Sequence, residues 1–226
     1  MTGELVAVAA PKIVYRIGRA PDPWTWPDWR HATDGTFGNR YDDPQGQYRV
    51  LYASSQRAGA FIETLARFRP DPAVVAESIG EDPRDRGHAT VPPGRVPRSW
   101  ATDRRIGTAR LNGRFCDIGH SASLAHLRSA LAHRLVHYEL DDLDAAALRL
   151  RAPRGFTQEL SRLVFERSDE GERAFDGIRY RSRLGDDIDN WAIFEPAQLH
   201  DTTSEPISAD DSDLVMVVDL FHLTFA

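Results

Sequence analysis

The sequence predicts an α+β fold. Short runs rich in β-branched and aromatic residues mix with amphipathic helical segments, without the regular strand–helix–strand alternation of a parallel sheet. At 226 residues, 41% of them hydrophobic and 27% charged, the chain can bury one full core as a single domain spanning 1–226. Two dense motifs stand far apart in the sequence, Phe37–Phe68 and Phe175–Pro196. Each sets Arg, Tyr, Ser, Asn or an acid beside turn residues and short apolar runs. Such residues suit a cleft that grips an anionic, aromatic small molecule, and if the two segments meet they define one site.

The elements follow in order. Ile13–Ile17 reads as a strand, and 21–29 as a loop, because three prolines exclude regular structure while Trp24, Trp26 and Trp29 pack. Residues 48–53 form a strand leading into a helix over 56–68, whose Phe61, Leu65 and Phe68 share the core face. Glu63 falls roughly 200° around that wheel from Phe61, beside the small residues Gly59, Ala60 and Ala66, as a cleft-lining carboxylate would. A surface ion pair with Arg67, four residues on, is the plainer reading of Glu63. Residues 77–99 read as a long loop, 105–111 and 113–118 as strands, and 122–138 as one helix with Leu124, Leu127, Leu131 and Leu135 on one side. The acids at 141–144 cap a following helix, and Thr157 caps another that carries Leu160, Leu163 and Val164. The apolar end, 213–225, reads as strand that closes the sheet.

Composition excludes several functions. The net charge of -6 disfavours a nucleic-acid partner, which needs a concentrated basic face. No apolar run reaches the ~20 residues of a membrane span. Cys116 is the single cysteine, so no internal disulfide forms, which fits a reducing cytoplasm. Of the 28 lysines and arginines only Lys12 is a lysine, and it lies outside any Gly-Lys-Ser/Thr phosphate loop. Any anion is therefore held by arginine, whose fork suits a diphosphate or carboxylate.

Three other motifs have competing readings. Gly119-His120-Ser121-Ala122-Ser123 follows a strand and precedes a helix like a nucleophile elbow, with His200 or His222 and Asp141 as partners; a helix cap at Ser121 or Ser123 is the alternative. His133 and His137 have zinc-binding spacing, but the metalloprotease glutamate and a third ligand are missing, so no metal is expected. Residues 186–190 lack the spacing of a calcium loop.

Five segments in order resemble the RES domain family, named for an Arg, a Glu and a Ser. They are Gly38-Asn39-Arg40-Tyr41-Asp42-Asp43-Pro44, the Val50-Leu51-Tyr52 strand, Ala60-Phe61-Ile62-Glu63, Phe175–Ser182, and Asn190 before an apolar strand; Tyr15-Arg16 matches the family's opening arginine segment. The resemblance implies a fold similar to ADP-ribosyltransferases, a split β-sheet around an NAD⁺ cleft with flanking helices. It also implies an enzyme that degrades NAD⁺ (as a glycohydrolase or phosphorylase) or transfers its ADP-ribose, acting as the toxin of a toxin–antitoxin pair. The partner would be an antitoxin with a helix-turn-helix part; self-association stays open. Carried over residue by residue, Glu63 would stabilise the charge developing at the ribose, and Arg16 and Arg40 would clamp the diphosphate. Tyr41 or Tyr52 would stack on nicotinamide, and Ser182 and Asn190 would orient the ribose or its amide. The sequence departs from the family at Asn39 and at Asp42-Asp43, and carries an insertion within about 75–140. An inactive RES-like module that binds a nucleotide or partner, and a serine hydrolase built on Ser121, are the alternatives.

Overall fold

The computed structural model describes residues 4–70 and 94–226. The first half holds β1 (Ala7–Ala9), β2 (Val14–Arg19), β3 (Val50–Ser54), α1 (Arg57–Leu65), β4 (Arg95–Val96), α2 (Ser99–Thr102), β5 (Arg104–Leu111) and β6 (Arg114–Asp117). The second half holds α3 (Ser121–Ala130), α4 (Ala132–His137), α5 (Arg154–Glu166), β7 (Ser168–Asp169), β8 (Glu172–Arg173), β9 (Gly177–Arg181), β10 (Asp189–Phe194), β11 (Leu199–His200), β12 (Glu205–Pro206), α6 (Ser212–Leu220) and β13 (Thr224–Phe225).

The main sheet runs β1-β6-β9-β10-β3-β2-β5-β11, with β12 also on β5. β5 and β6 are joined by Asn112 and Gly113 alone, yet β2, β3, β10 and β9 lie between them in the sheet. Three Cα steps span at most about 11 Å, whereas five strand spacings in a flat sheet cover about 24 Å. The sheet must therefore curl until its two halves face each other. Gly113 makes the link possible: its φ is +118°, and a Cβ there would lie 2.3 Å from the Asp176 carboxylate that accepts the Arg114 N–H. Inside the curl pack Val14, Leu51, Ala53, Ala109, Leu111, Phe115, Trp191 and Ile193.

Strands β3 and β10 are buried on both faces, which is why they read as nearly continuous apolar runs. Trp191 and Ile193 point into the curl, while Ala192 and Phe194 face α3, α4 and α5 through Leu127, Leu131, Phe156, Leu160 and Val164. On the other half, Phe61 and Leu65 of α1 pack with Ile17, Ile106, Trp100 and Leu214. The two halves join at one bridge, Tyr15↔Ser54 between β2 and β3. The sheet is thus split, with α+β architecture as expected. Of the three tryptophans expected to pack, Trp24 does, 5% exposed with its indole N–H donating to the Thr203 carbonyl, whereas Trp26 is half-buried and Trp29 stays exposed, its ring against Phe37.

Several expectations need correction. The segment 213–225 is mostly the helix α6, and β13 leaves the main sheet to pair in parallel with β4. The β-propensity of its valines loses to a cap and a tertiary clamp. The Asp211 carboxylate accepts the Asp213 and Leu214 N–H groups, and Arg57 of α1 binds both Asp211 and Asp213. The helix expected over 122–138 breaks at Leu131, whose φ and ψ are -103° and 15°. Its start is capped by the His120 ring, which accepts from Ala122 N, and neither Ser121 nor Ser123 is the cap. Ser123 is buried and accepts from Val6 N. Helix α5 starts at Arg154, so Thr157 lies inside it and bonds the Arg154 carbonyl. Asp144 does cap the turn over Ala147–Arg151, accepting from Ala147 N at 2.6 Å. Of the expected loop over 77–99, residues 77–93 lie outside the described residues. Within the expected insertion, β5 and β6 are integral strands of the sheet.

Arg57 is the clamp between α1 and α6, and its bond holds the Asp211 carboxyl below the usual carboxylate range. A depressed folded pKa contributes stability that is complete above the unfolded value of about 3.9 and is lost as pH falls through the folded value. We expect Arg57→Met to lower stability at pH 7 by about 1–3 kcal/mol. Urea denaturation between pH 2.5 and 7 should give a shallower acid loss in the variant; equal slopes would contradict the clamp.

Candidate functional site

Where β2 and β3 separate, a cavity of about 590 Å³ opens. The register across the split places its floor. Tyr180 of β9 is paired with Asn190 of β10, Asn190 with Ser54 of β3, and Ser54 with Tyr15 of β2. All four side chains of this row line the cavity. The two segments singled out in the sequence therefore meet in adjacent strands.

Arg16 bridges the split. Its Nε donates to the Pro23 carbonyl and its Nη1 to the Tyr52 carbonyl, both at 2.7 Å. The second bond satisfies a β3 carbonyl on the side from which β2 has moved away. Burial lowers the guanidinium to about 10, so it stays charged at neutral pH while lacking a carboxylate ion pair among the described residues.

The opposite wall is α1. Its Gly59 lets the helix approach β3, since a Cβ there would sit 2.4 Å from Ser54 Oγ. Ala60, Glu63 and Thr64 then face the cavity. Glu63 does not pair with Arg67. Its Oε1 accepts from Asn190 Nδ2 at 2.6 Å, and Asn190 is 1% exposed. Asn190 Oδ1 is buried without a hydrogen-bond partner. Leaving such an acceptor unmet costs about 1–3 kcal/mol.

The 39–47 loop forms the third wall, and its two aspartates hold it. Asp42 accepts from Asn39 N at 2.7 Å and from the Tyr52 hydroxyl at 2.9 Å, and that hydroxyl accepts from Tyr41 N. Asp43 accepts from Gln45 N, Gln47 N and Arg162. Burial raises the Asp42 carboxyl, and its Asn39 and Tyr52 donors partly counter the effect. The departures from the family motif at Asp42-Asp43 are thus internal loop ties. They present Asn39 and Arg40 to the cavity.

The expected residues divide. Glu63, Arg40, Arg16, Tyr52 and Asn190 all line the cavity. Tyr41 does not: it is 1% exposed, packs against Tyr180 at 4.8 Å between ring centres, and burial pushes its phenol up to about 12. Ser182 does not either. It is 2% exposed, and its hydroxyl accepts from Leu184 N, so it ties the turn that presents Arg183. Tyr15, Tyr180, Arg149, Arg154 and Arg183 line the cavity and were not singled out as site residues. Tyr180 carries a phenol that burial pushes well up, so it is a protonated donor. Strand register places Tyr15 and Tyr180, and loop packing brings in the arginines; neither signal is local in sequence.

In all, five arginines face a single lining carboxylate, Glu63, with Arg149 partly offset by Asp186. The cavity can take an anion flanked by aromatic groups, and set a carboxylate against a centre that becomes positive. The serine-hydrolase arrangement is not assembled: Ser121 opens α3 behind its His120 cap, and among the described residues no hydrogen bond joins it to His200, His222 or Asp141. His133 and His137 are exposed on α4.

No curated protein matches the chain in sequence. Among solved structures, the chain is similar to one in the crystal structure of the M. tuberculosis MbcT–MbcA toxin–antitoxin complex, at 10% identity and a TM-score of 0.47, covering 96% of this chain and 92% of that one. The family model of the RES domain matches residues 13–215, nearly the whole length on which the split sheet and its cavity are built, and the chain belongs to the RES domain family.

Proposed function

We propose that the chain is an NAD⁺-consuming enzyme that breaks the nicotinamide–ribose bond in the cavity at the sheet split. The observation that carries this reading is Glu63, the one carboxylate of an arginine-lined cavity, held in place by a buried Asn190. NAD⁺ joins a diphosphate to a cationic ring, so it needs cations at one end and an anion at the reacting ribose. Arg40 and the Nη2 of Arg16, which neither carbonyl engages, grip the diphosphate, with Arg154 and Arg183 also lining the cavity. Tyr52, Tyr15 and Tyr180 supply aromatic surface for the nicotinamide.

As the glycosidic bond lengthens, the ribose gains oxocarbenium character. In this reading Glu63 supplies the fixed negative charge that stabilises the change. Asn190 fixes the carboxylate through Nδ2, and its unmet Oδ1 is an acceptor for a substrate hydroxyl or carboxamide donor. Ser182 acts through the turn it ties, setting the position of Arg183. Water, phosphate or a protein group receives the ADP-ribose. Family membership supports a toxin role with a helix-turn-helix antitoxin as partner, and an NAD⁺-consuming activity would itself arrest growth.

Nicotinamide release from NAD⁺ tests the reading. Glu63→Gln should lower kcat by about 10²–10³ with the fold intact. Arg40→Gln should raise KM more than it lowers kcat. Asn190→Ala should lower kcat by about tenfold or more, because the carboxylate loses its fixed orientation. Wild-type protein without turnover, indistinguishable from Glu63→Gln, would sink the proposal in favour of an inactive binding module. In bacteria, induced wild-type chain should arrest growth and Glu63→Gln should not.

A further inference from the structure

A second group of arginines lies outside the cavity. Arg19 ends β2, Arg104 begins β5, and Arg67 sits on the turn after α1. The three line a separate pocket of about 280 Å³, whose floor is Trp100 and Phe68 and whose rim includes Ser99. Arg19 and Arg104 are direct cross-strand partners, a placement that is destabilising for like charges. None of the three forms an ion pair with a carboxylate among the described residues, and Asp103 is the one acid in the lining. Arg104 lies over the Trp100 ring at 5.3 Å and Arg67 over Phe68 at 5.4 Å, so both guanidinium groups are oriented by aromatic planes. Burial, then the charges of Arg19 and Arg67, lower the proton affinity of Arg104.

Among the described residues, three cations from three elements therefore converge on a pocket whose lining holds one acid, Asp103, and none of them pairs with it. We propose that Arg19, Arg67 and Arg104 form an anion site for a small phosphate-bearing ligand, distinct from the NAD⁺ cavity. Three forked donors around a pocket of this size suit a diphosphate or a phosphomonoester, which would bind bidentately to more than one arginine. The aromatic floor excludes water beneath the anion and strengthens each contact. The site shares strand β2 with the cavity, since Arg16 and Arg19 are three residues apart. An anion there would relieve the repulsion between β2 and β5, the strands on one side of the split.

The proposal stands apart from the catalytic reading, and its test does not use turnover. Inorganic pyrophosphate is titrated calorimetrically into wild-type protein, the Arg19→Gln/Arg67→Gln double variant, and the cavity variant Arg40→Gln. We expect the double variant to lose one pyrophosphate site that Arg40→Gln retains. Saturating pyrophosphate should raise the unfolding midpoint of Arg40→Gln by about 2–5 °C, and this rise should shrink in the double variant. Without ligand, the double variant should be at least as stable as wild type, because it removes like charges. Identical binding in wild type and the double variant, or a site lost only with Arg40→Gln, overturns the proposal. So does binding of a DNA duplex where pyrophosphate does not bind, which would indicate a nucleic-acid surface instead. A double variant that is markedly less stable without ligand would mark the arginines as structural.

Discussion

The two-residue link between β5 and β6 constrains everything built around it. Neighbours in sequence but separated by four strands in the sheet, they can be joined so briefly only if the sheet curls on itself. The curl gathers Phe115, Trp191, Leu111 and Ile193 into an interior core, with Phe115 and Trp191 meeting edge to face at 5.1 Å. Burial of such side chains, at about 1.5–3 kcal/mol each, sustains the bend. Curvature has to be relieved somewhere, and it is relieved between β2 and β3, which keep only the Tyr15↔Ser54 bridge. The cavity is the gap that remains.

That gap exposes main-chain groups, and side chains meet the need while also shaping the site. Arg16 satisfies the Tyr52 carbonyl and places a desolvated cation beside the opening. Gly59 brings α1 close enough for Glu63 to meet Asn190 across the row that runs from Tyr180 to Tyr15. Asp42 and Asp43, buried and fully engaged, hold the loop that carries Arg40. The same residues that complete the fold at its weakest seam thus set the charge pattern of the cavity, cationic apart from one fixed carboxylate.

Much of this was legible in the sequence, for identifiable reasons. The apolar runs of β3 and β10 announce strands, here buried on both faces, and the small residues beside Glu63 mark a helix face that packs closely on β3 at Gly59 and lines the cavity at Ala60. Arginine as the main cation follows from Lys12 being the sole lysine. Other features depend on tertiary structure. The valines of α6 suggest strand until Arg57 and Asp211 fix a helix there. Tyr41 and Ser182 carry the chemistry of the motif, but both are buried outside the cavity lining, Tyr41 against the Tyr180 ring and Ser182 within its own turn. Tyr15 and Tyr180 enter only through strand register, which a sequence does not display.

The most direct measurement is a crystal structure of the Glu63→Gln variant with NAD⁺ bound. The account predicts density in the cavity at the β2–β3 split, with the diphosphate against Arg16 and Arg40 and the nicotinamide ribose beside residue 63, within about 3–4 Å of its side-chain oxygen. NAD⁺ lying elsewhere, or in the cavity with its adenine end at residue 63, would contradict it.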